Sequence, residues 1–489
     1  MKVSVRVVVE AGDGTPTVIH EAFSLERGPL GADALGLRLD EAKDLLAAVQ
    51  ETVVNEQVKV SLAAQVACPD CGVHRRHKDS RDIVVRTLFG TLRLPSARWW
   101  HCSCSAHETK TFSPLAETIP ERATPELQYL EAKFAGLASY GLSAKLLAEV
   151  LPLGRPLHAT AVRRHTQAVA QRLEDELGAE QVVFIDGCPA EWRQLPRPDL
   201  PLVVGLDGGY VHSAHQRSRT DGWFEVIAGK TMPADGPAKS FGFVQSYDTK
   251  PKRRLFEMLK SQGMQANQAV TFVTDGGEDI RDLPLYLNPG SEHLLDWFHI
   301  TMRLTVLHQM AKGPAAGDLL DRRGAWCDDL DDDDLRHLGE DLARVPHQLE
   351  RLKWFLWHGN VFRAGQVADD LTFDLEVVAD AGPDYAKLHK ALREFGGYIR
   401  ANAGFIPNYG ERHRAGEVIS SSFVESAVNQ VISKRMVKRQ QLRWTPGGAH
   451  LLLQVRTRIL NDDLVDDFRR WHPSFTHVDP DREELTAAA

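Results

Sequence analysis

Leu202-Val-Val-Gly-Leu-Asp207-Gly-Gly209 and, further on, Val270-Thr-Phe-Val-Thr-Asp275-Gly-Gly277 share one design: an apolar run that stops at an aspartate followed by two glycines. A short apolar run bounded by glycine reads as a buried strand. An aspartate at its end is held rigidly, and the glycines let the backbone turn and leave room for a ligand. Between the two lie an aromatic-rich run, Trp223 to Gly229, a second apolar run, Phe241 to Val244, and a helical pattern from Pro251 to Gln262. A short acidic helix after Gly277 and the run His293-Leu-Leu-Asp-Trp-Phe298 follow. The order is β-β-β-α-β-α-β.

A third carboxylate arrives late, in Ser420-Ser-Ser-Phe-Val-Glu425-Ser-Ala-Val-Asn-Gln-Val-Ile-Ser-Lys434-Arg-Met436, a helical stretch whose later turns are basic. Two strand-end aspartates and a helical glutamate suit divalent metal ions and phosphodiester chemistry. Mg²⁺ takes oxygen ligands and keeps several waters, so one or two carboxylates per ion suffice. In a two-metal site about 3.5–4 Å separates the ions, so the carboxylates must converge in space. The element order is that of a ribonuclease-H-like fold, with residues 300–415 as a helical insertion before the Glu425 helix. Two competing readings stand beside this one. Ser422 and Glu425 have capping-box spacing, in which the glutamate only satisfies its own helix. Asp186 also ends an apolar run, but lacks the same succession of strands after it.

The words DGGYVHS, FEVIAGK, VTDGGEDIR, EHLLDWFHITMRL, KWFLWHGN, YIRANAGFIPNYGERHRAGEVISSSFVESAVNQVISKRM and WTPGGAHLLLQVRTRILN occur in that order. They resemble the DDE transposases of bacterial insertion sequences, of the ISKra type, from the cysteine cluster to about residue 473. The resemblance implies Asp207, Asp275 and Glu425 as the catalytic triad and the ligands of Mg²⁺ or Mn²⁺. It implies movement of the enzyme's own element, by DNA cleavage and strand transfer. Asp296 and His299 resemble the Asp-x-x-His signature of related transposases. They could serve the active site or only pack beside Trp297.

Cys68-Pro-Asp-Cys71 and Cys102-Ser-Cys104 form two short pairs, the arrangement of a structural Cys₄ zinc site. Strands read at Ile83 to Leu88 and Leu92 to Pro95 make the module a zinc ribbon. His101 or His107 could replace one ligand. Disulfides are the rival, but no signal-peptide pattern opens the chain, and Cys188 and Cys327 have no evident partners. Seven basic residues (Arg75, Arg76, Lys78, Arg81, Arg86, Arg93, Arg98) against Asp70, Asp79 and Asp82 make the ribbon a DNA-contacting candidate. Three helices follow: Thr124 to Ala138, Ser143 to Val150, and one from about Ala159. The third carries Arg163, Arg164 and His165 near its start, as a recognition helix would. An ordinary helical linker with a basic face is the plainer reading.

The 489 residues carry a net charge of −9, unusual for a DNA binder, but the charge is uneven. Asp328, Asp329 and Asp331 to Asp334 form an acidic block read as a solvated loop. Lys434, Arg435, Lys438, Arg439 and Arg443 cluster after Glu425, with Trp444 available to stack on a base or to join the core. Only local charge matters to a phosphate, since about 8 Å of physiological salt screens the rest. No apolar run is long enough for a membrane span.

The expected organisation is α+β and multidomain: a β-hairpin plus long helix (1–65), a zinc-ribbon-like module (66–112) and a helix-turn-helix-like DNA-binding domain (120–180). A ribonuclease-H-like α/β core (181–299), the helical insertion (300–415), the Glu425 part of the core (416–475) and a disordered tail (476–489) follow. Expected partners are double-stranded DNA, both element ends and target, and further copies of the chain on that DNA. The expected location is the cytoplasm, at the nucleoid. The alternatives are a non-catalytic DNA-binding regulator derived from a transposase, and a structure-selective nuclease of the same fold.

Overall fold

The structure, a computed structural model, describes all residues except 11–17, 33–34, 105–108, 181–201, 215–221, 234–235, 266–267, 269, 278–290, 313–318, 320–323, 438–442 and 477–489. Asp186, Cys188, His107 and the acidic helix expected after Gly277 fall outside the described residues. The chain divides into two compact units, Met1–Glu174 with the segment from Asp462, and Asp175–Asn461.

In the first unit β1 (Lys2–Val9) and β2 (Val18–Glu26) form an antiparallel hairpin, followed by α1 (Leu39–Ala64). β3 (His77–Thr87), β4 (Gly90–Trp100) and β5 (Thr111–Phe112) make a three-stranded antiparallel sheet. Val58 of α1 is buried in one core with Ile83, Val85, Leu92, Leu94 and Leu115, so the long helix packs on the cysteine module. After α2 (Pro114–Thr118) come α3 (Pro125–Leu137), α4 (Tyr140–Val150) and α5 (Ala159–Leu177). Ser139, not Ser143, caps α4, its side chain accepting from the Leu142 N–H at 3.3 Å. His165 turns inward to a buried hydrogen bond with Glu131 of α3.

The second unit is built on a five-stranded sheet. β6 (Leu202–His212), β7 (Trp223–Met232), β8 (Ser240–Val244), β9 (Val270–Thr274) and β10 (Glu292–Leu295) lie in the order β10-β9-β6-β7-β8. β6 pairs antiparallel with β7 and parallel with β9, and β10 pairs parallel with β9. Side chains alternate between faces along a strand. The Leu206 face holds a core of Leu202, Val204, Ile227, Phe241, Phe243, Val270 and Phe272. Leu255 and Leu259 of α6 (Pro251–Ser261) close it.

A helical layer follows: α7 (Trp297–Ala311), α8 (Asp332–Trp357), α9 (Val361–Val378), α10 (Pro383–Ala401) and the short α11 (Tyr409–Arg414). These share one core that includes Leu295, Leu304, Leu349, Leu371, Leu392 and Tyr409. Of the acidic block only Asp328 and Asp329 lie in an exposed turn; the rest starts a helix. Asp331 caps α8, accepting from the Asp333 and Asp334 N–H groups at 2.9 and 2.8 Å. Asp332, Asp333 and Asp334 form the first turn, where the helix dipole favours negative charge.

The chain then returns to the sheet through α12 (Ser422–Val428), a π-helical stretch Asn429–Val437 and α13 (Pro446–Leu460). α14 (Leu464–Trp471) belongs to the first unit, where Phe468 meets Tyr129 at 5.4 Å between rings. Arg254 anchors α6 to α13, bonding Asp248 Oδ2 at 2.9 Å and Gln454 Oε1 at 2.6 Å. No helix among the described residues is long and apolar enough to cross a membrane.

Candidate active site

Leu206, Thr274 and Leu295 stand in register across β6, β9 and β10. The next residue on each strand is an aspartate: Asp207, Asp275 and Asp296. Asp296 extends the ladder by one more bond, its N–H donating to the Thr274 carbonyl at 2.8 Å. Adjacent strands lie about 4.8 Å apart, so three neighbouring parallel strands present three acids in a row, Asp207 within β6 and Asp275 and Asp296 just past the ends of β9 and β10.

The glycines after the first two aspartates serve different ends. β6 does not stop at Asp207, as expected from the sequence, but runs on to His212 beside β7. Gly208 and Gly209 stay within the strand; a Cβ on Gly209 would lie 3.0 Å from Ile432 Cδ1 and 3.4 Å from Val428 Cγ1. Gly276, in contrast, turns the chain with φ +88°, and a Cβ there would meet Asn402 Oδ1 at 2.5 Å. Asp207 Oδ1 accepts from the Gly208 N–H at 2.8 Å, and Asp275 Oδ1 from Gly277 at 3.0 Å. Tyr398 of α10 donates to the Asp275 carbonyl at 2.9 Å, fixing the turn from the helical layer.

Asp296 is fully buried and caps α7. Its carboxylate accepts from the Phe298 N–H at 2.8 Å, His299 Nδ1 at 2.8 Å, the Ser421 N–H at 3.0 Å and the Ser421 hydroxyl. Burial pushes its pKa up, but His299, Ser421 and Phe298 more than offset that, and the net shift is down. The other ring nitrogen of His299 lies 4.0 Å from Asp207 Oδ1, so the imidazole spans from the third strand to the first. Burial lowers the His299 pKa, yet Asp296, Asp207 and Asp275 together carry it above the ordinary value. Asp207 is raised, chiefly by burial and also by Asp275 and Asp296, against the pull of His299.

Glu425 rides on α12, which Ser421 immediately precedes. Gly209 shares a face with Asp207 by the two-residue period, and Val428 covers Gly209 one turn after Glu425. The Glu425 helix therefore lies on the face that carries Asp207. The Glu425 side chain itself is exposed and has no hydrogen-bonding or ionic partner among the described residues. The three carboxylates of Asp207, Asp275 and Glu425 are not drawn within 4.8 Å of one another. The capping-box alternative fails by one residue: the helix starts after Ser421, and no side-chain cap bond forms.

The basic track after Glu425 is only partly a surface. Lys434 is exposed, but Arg435 is fully buried with its guanidinium 5.3 Å from the Trp444 ring. This corrects the expectation that Arg435 meets DNA. The i→i+5 winding from Asn429 to Val437 shifts side chains off the α-helical phase, which turns Arg435 into the core. Trp444 is buried too, its indole N–H facing the Met436 carbonyl at 3.3 Å, and so belongs to packing. Arg456, buried and close to Arg435, is lowered to about 10 by burial first and by that neighbour second. Lys438 and Arg439 lie outside the described residues. Arg163 and Arg164 are exposed near the start of α5.

In the other unit Cys68, Cys71, Cys102 and Cys104 come together, with all four sulfurs within 4.8 Å of one another. Cys68 Sγ is 3.6 Å from Cys104 Sγ, and Cys71 Sγ is 3.3 Å from Cys102 Sγ. None of the four is in a disulfide. Four ligands on Zn–S bonds of about 2.3 Å would stand roughly 3.8 Å apart, so the group fits a tetrahedral ion. The N–H groups of Cys71 and Asp70 hold the Cys68 thiol down to about 7, favouring the thiolate a metal needs. His101 is not in the group; it stacks on Phe112 at 4.6 Å. Several ribbon cations are committed within the fold: Arg98 to Asp79, Arg75 over Phe112 at 4.7 Å and Lys78 over Trp100 at 5.2 Å.

Ser421 and Tyr398 were not legible as site residues. Three consecutive serines before Phe423 carried the only signal for Ser421, and nothing local marked Tyr398. No family model and no curated protein matches the chain. Among solved structures it is similar to the Drosophila P element transposase strand transfer complex, with 9% sequence identity, 70% of this chain and 93% of that chain covered, and a TM-score of 0.29. So slight a likeness adds nothing to the residues themselves.

Proposed function

We propose that the chain is a DNA transposase of the DDE type, with a ribonuclease-H-like catalytic core and an N-terminal half that binds DNA through a zinc ribbon and the α3–α5 helices. The observation that carries this reading is the row of Asp207 and Asp275 on adjacent strands, with the Glu425 helix packed on the face of Asp207. The strand order β10-β9-β6-β7-β8 and the resemblance to ISKra-type enzymes support it.

The residues fit divalent metal. Their donors are carboxylate oxygens, the class Mg²⁺ and Mn²⁺ prefer. Asp207 is raised by burial and by neighbouring acids, so a cation is the charge the site lacks. Asp207, Asp275 and Glu425 would hold the ions, which when bound supply an activated attacking oxygen and a stabilised leaving oxygen. Water adds to phosphorus at the element end and the P–O3′ bond breaks, leaving a 3′-hydroxyl and a 5′-phosphate. The 3′-oxygen then attacks a target phosphorus, expelling the target's own 3′-oxygen. His299, fixed at Nδ1 by Asp296, presents its other nitrogen toward Asp207, where it can hold a proton beside the reacting phosphate.

The test uses the full chain and DNA carrying the sequence that flanks its gene, in Mg²⁺ or Mn²⁺. Cleavage with free 3′-hydroxyl ends and joined products is expected, and Asp207→Asn should abolish both. Cleavage without joining would make the chain a nuclease. Neither product from the wild type would leave a DNA-binding regulator.

A further inference from the structure

Three indoles meet in a groove of about 560 Å³ between α7 and α8, in the helical layer beside the aspartate row. Trp297 and Trp357 form its inner wall, ring centroids 5.0 Å apart, and Tyr409 backs Trp297 at 4.8 Å. Trp354 forms the outer wall and is 58% exposed. A tryptophan left so open beside two others is unusual, because contiguous apolar surface facing water generally marks a binding site. The volume lies within the range of pockets that take small organic groups, roughly 300–1,000 Å³.

The charge around the groove narrows the ligand. Arg351 and Lys353 line it beside the single acid Glu350, so cations outnumber acids in the lining. Aromatic faces flanked by cations suit a flat, uncharged ring attached to a phosphate. They do not suit a cationic ligand, which would meet two like charges. Trp297 follows Asp296 directly in the chain, so the inner wall starts one residue from the aspartate row. Its N–H donates to the Ile419 carbonyl at 3.2 Å, which ties it to the strand of chain leading into Ser421.

We propose that this groove binds an unpaired nucleobase of the DNA handled by the aspartate site, stacked on Trp354, with Arg351 and Lys353 on the adjoining phosphate. The choice of ligand rests on the DNA-cleavage reading above. Stacking on an indole tolerates any base, since every base has a π-face. The groove therefore holds a displaced nucleotide without adding sequence preference.

The experiment uses the full chain and a single-stranded oligonucleotide with one 2-aminopurine, with no divalent metal added. Stacking should quench the probe. Trp354→Ala should weaken binding about five-fold or more, the scale of one lost base–aromatic stack. Trp354→Phe, which keeps a ring, should recover most of the quench, and Lys353→Ala should flatten the salt dependence. Trp354 is exposed, so its loss leaves the core intact, and the phenylalanine variant controls for folding. Equal quenching and affinity in wild type and Trp354→Ala overturns the proposal, whether or not the chain cleaves DNA. A Trp354-dependent quench in a chain that fails to cleave with metal supports the groove while sinking the cleavage reading.

Discussion

Ser421 gives both its N–H and its hydroxyl to the carboxylate of Asp296, across 125 residues of sequence. One buried acid at the end of the third strand thereby holds the residue that leads into the Glu425 helix. The bond explains why Ser421 makes no cap of its own: its hydroxyl is already committed. It also explains how a fully buried aspartate stays ionised, since hydrogen bonds to the charged form outweigh the cost of burial.

Asp296→Asn keeps the shape but replaces one acceptor oxygen with an N–H donor, which cannot satisfy both His299 and the Ser421 hydroxyl. The start of α12 should loosen, and hydrogen exchange at the Val424 and Glu425 amides should rise. The variant should lose stability on the order of 1–3 kcal/mol, the cost of a buried polar group left unsatisfied. Unchanged exchange at those amides would show that Asp296 does not hold the helix.

Much of the second unit was readable because each signal is local. An apolar run that stops at aspartate can be seen within eight residues, and Asp207 and Asp275 sit on adjacent strands as such runs suggest. The third acid in the row could not be read as a neighbour of the first two, because that depends on β10 pairing with β9 and β9 with β6. The glycines misled in one case. Gly276 turns the chain, whereas Gly208 and Gly209 lie inside a strand and admit the residues of the helix above. Arg435 was beyond pattern reading altogether, since its burial follows from π-helical winding rather than from composition.

The cysteine cluster makes a direct prediction about metal. Purified chain should contain zinc in a 1:1 ratio, and Cys71→Ser should lose it. Chelation should unfold β3 and β4, because zinc at such a site contributes on the order of 10 kcal/mol of folding free energy. Circular dichroism and amide exchange before and after chelation would report the loss. Two disulfides in metal-free, fully folded protein would refute the assignment.

Arg27 and Glu41 supply a pH-dependent tie between the hairpin and α1. The guanidinium bonds both carboxylate oxygens, Nη1 to Oε1 at 2.7 Å. That hydrogen bond first, and the Arg38 N–H second, lower Glu41 from 4.5 to about 2. The folded-state value lies below the unfolded one, so the contribution is fully present above about 4.5 and is lost as pH falls toward 2. Denaturant unfolding of wild type and Glu41→Gln should differ at neutral pH and converge in acid. A difference that stays constant down to pH 2 would mean that the ion pair is not its source.

Lys434 and Arg435 are neighbours in sequence with opposite fates. Lys434 faces solvent nine residues beyond Glu425, in the π-helical stretch, where a backbone phosphate could reach it; Arg435 lies inside, over Trp444. Phosphate contacts position DNA without reading its sequence, and each one lost lowers the log–log salt slope by about one. Lys434→Ala should therefore weaken binding to all duplexes alike and flatten the salt dependence by about one unit, with folding unaffected. Arg435→Ala should do the reverse, leaving the salt slope of the folded fraction near wild type while destabilising the unit. Removing that side chain empties a space within the packing of Trp444 and Met436, a change of the kind that costs about 2–5 kcal/mol in other cores. Salt titrations paired with thermal melts separate the two. A lowered slope in Arg435→Ala at full stability would show that the guanidinium swings out to meet DNA.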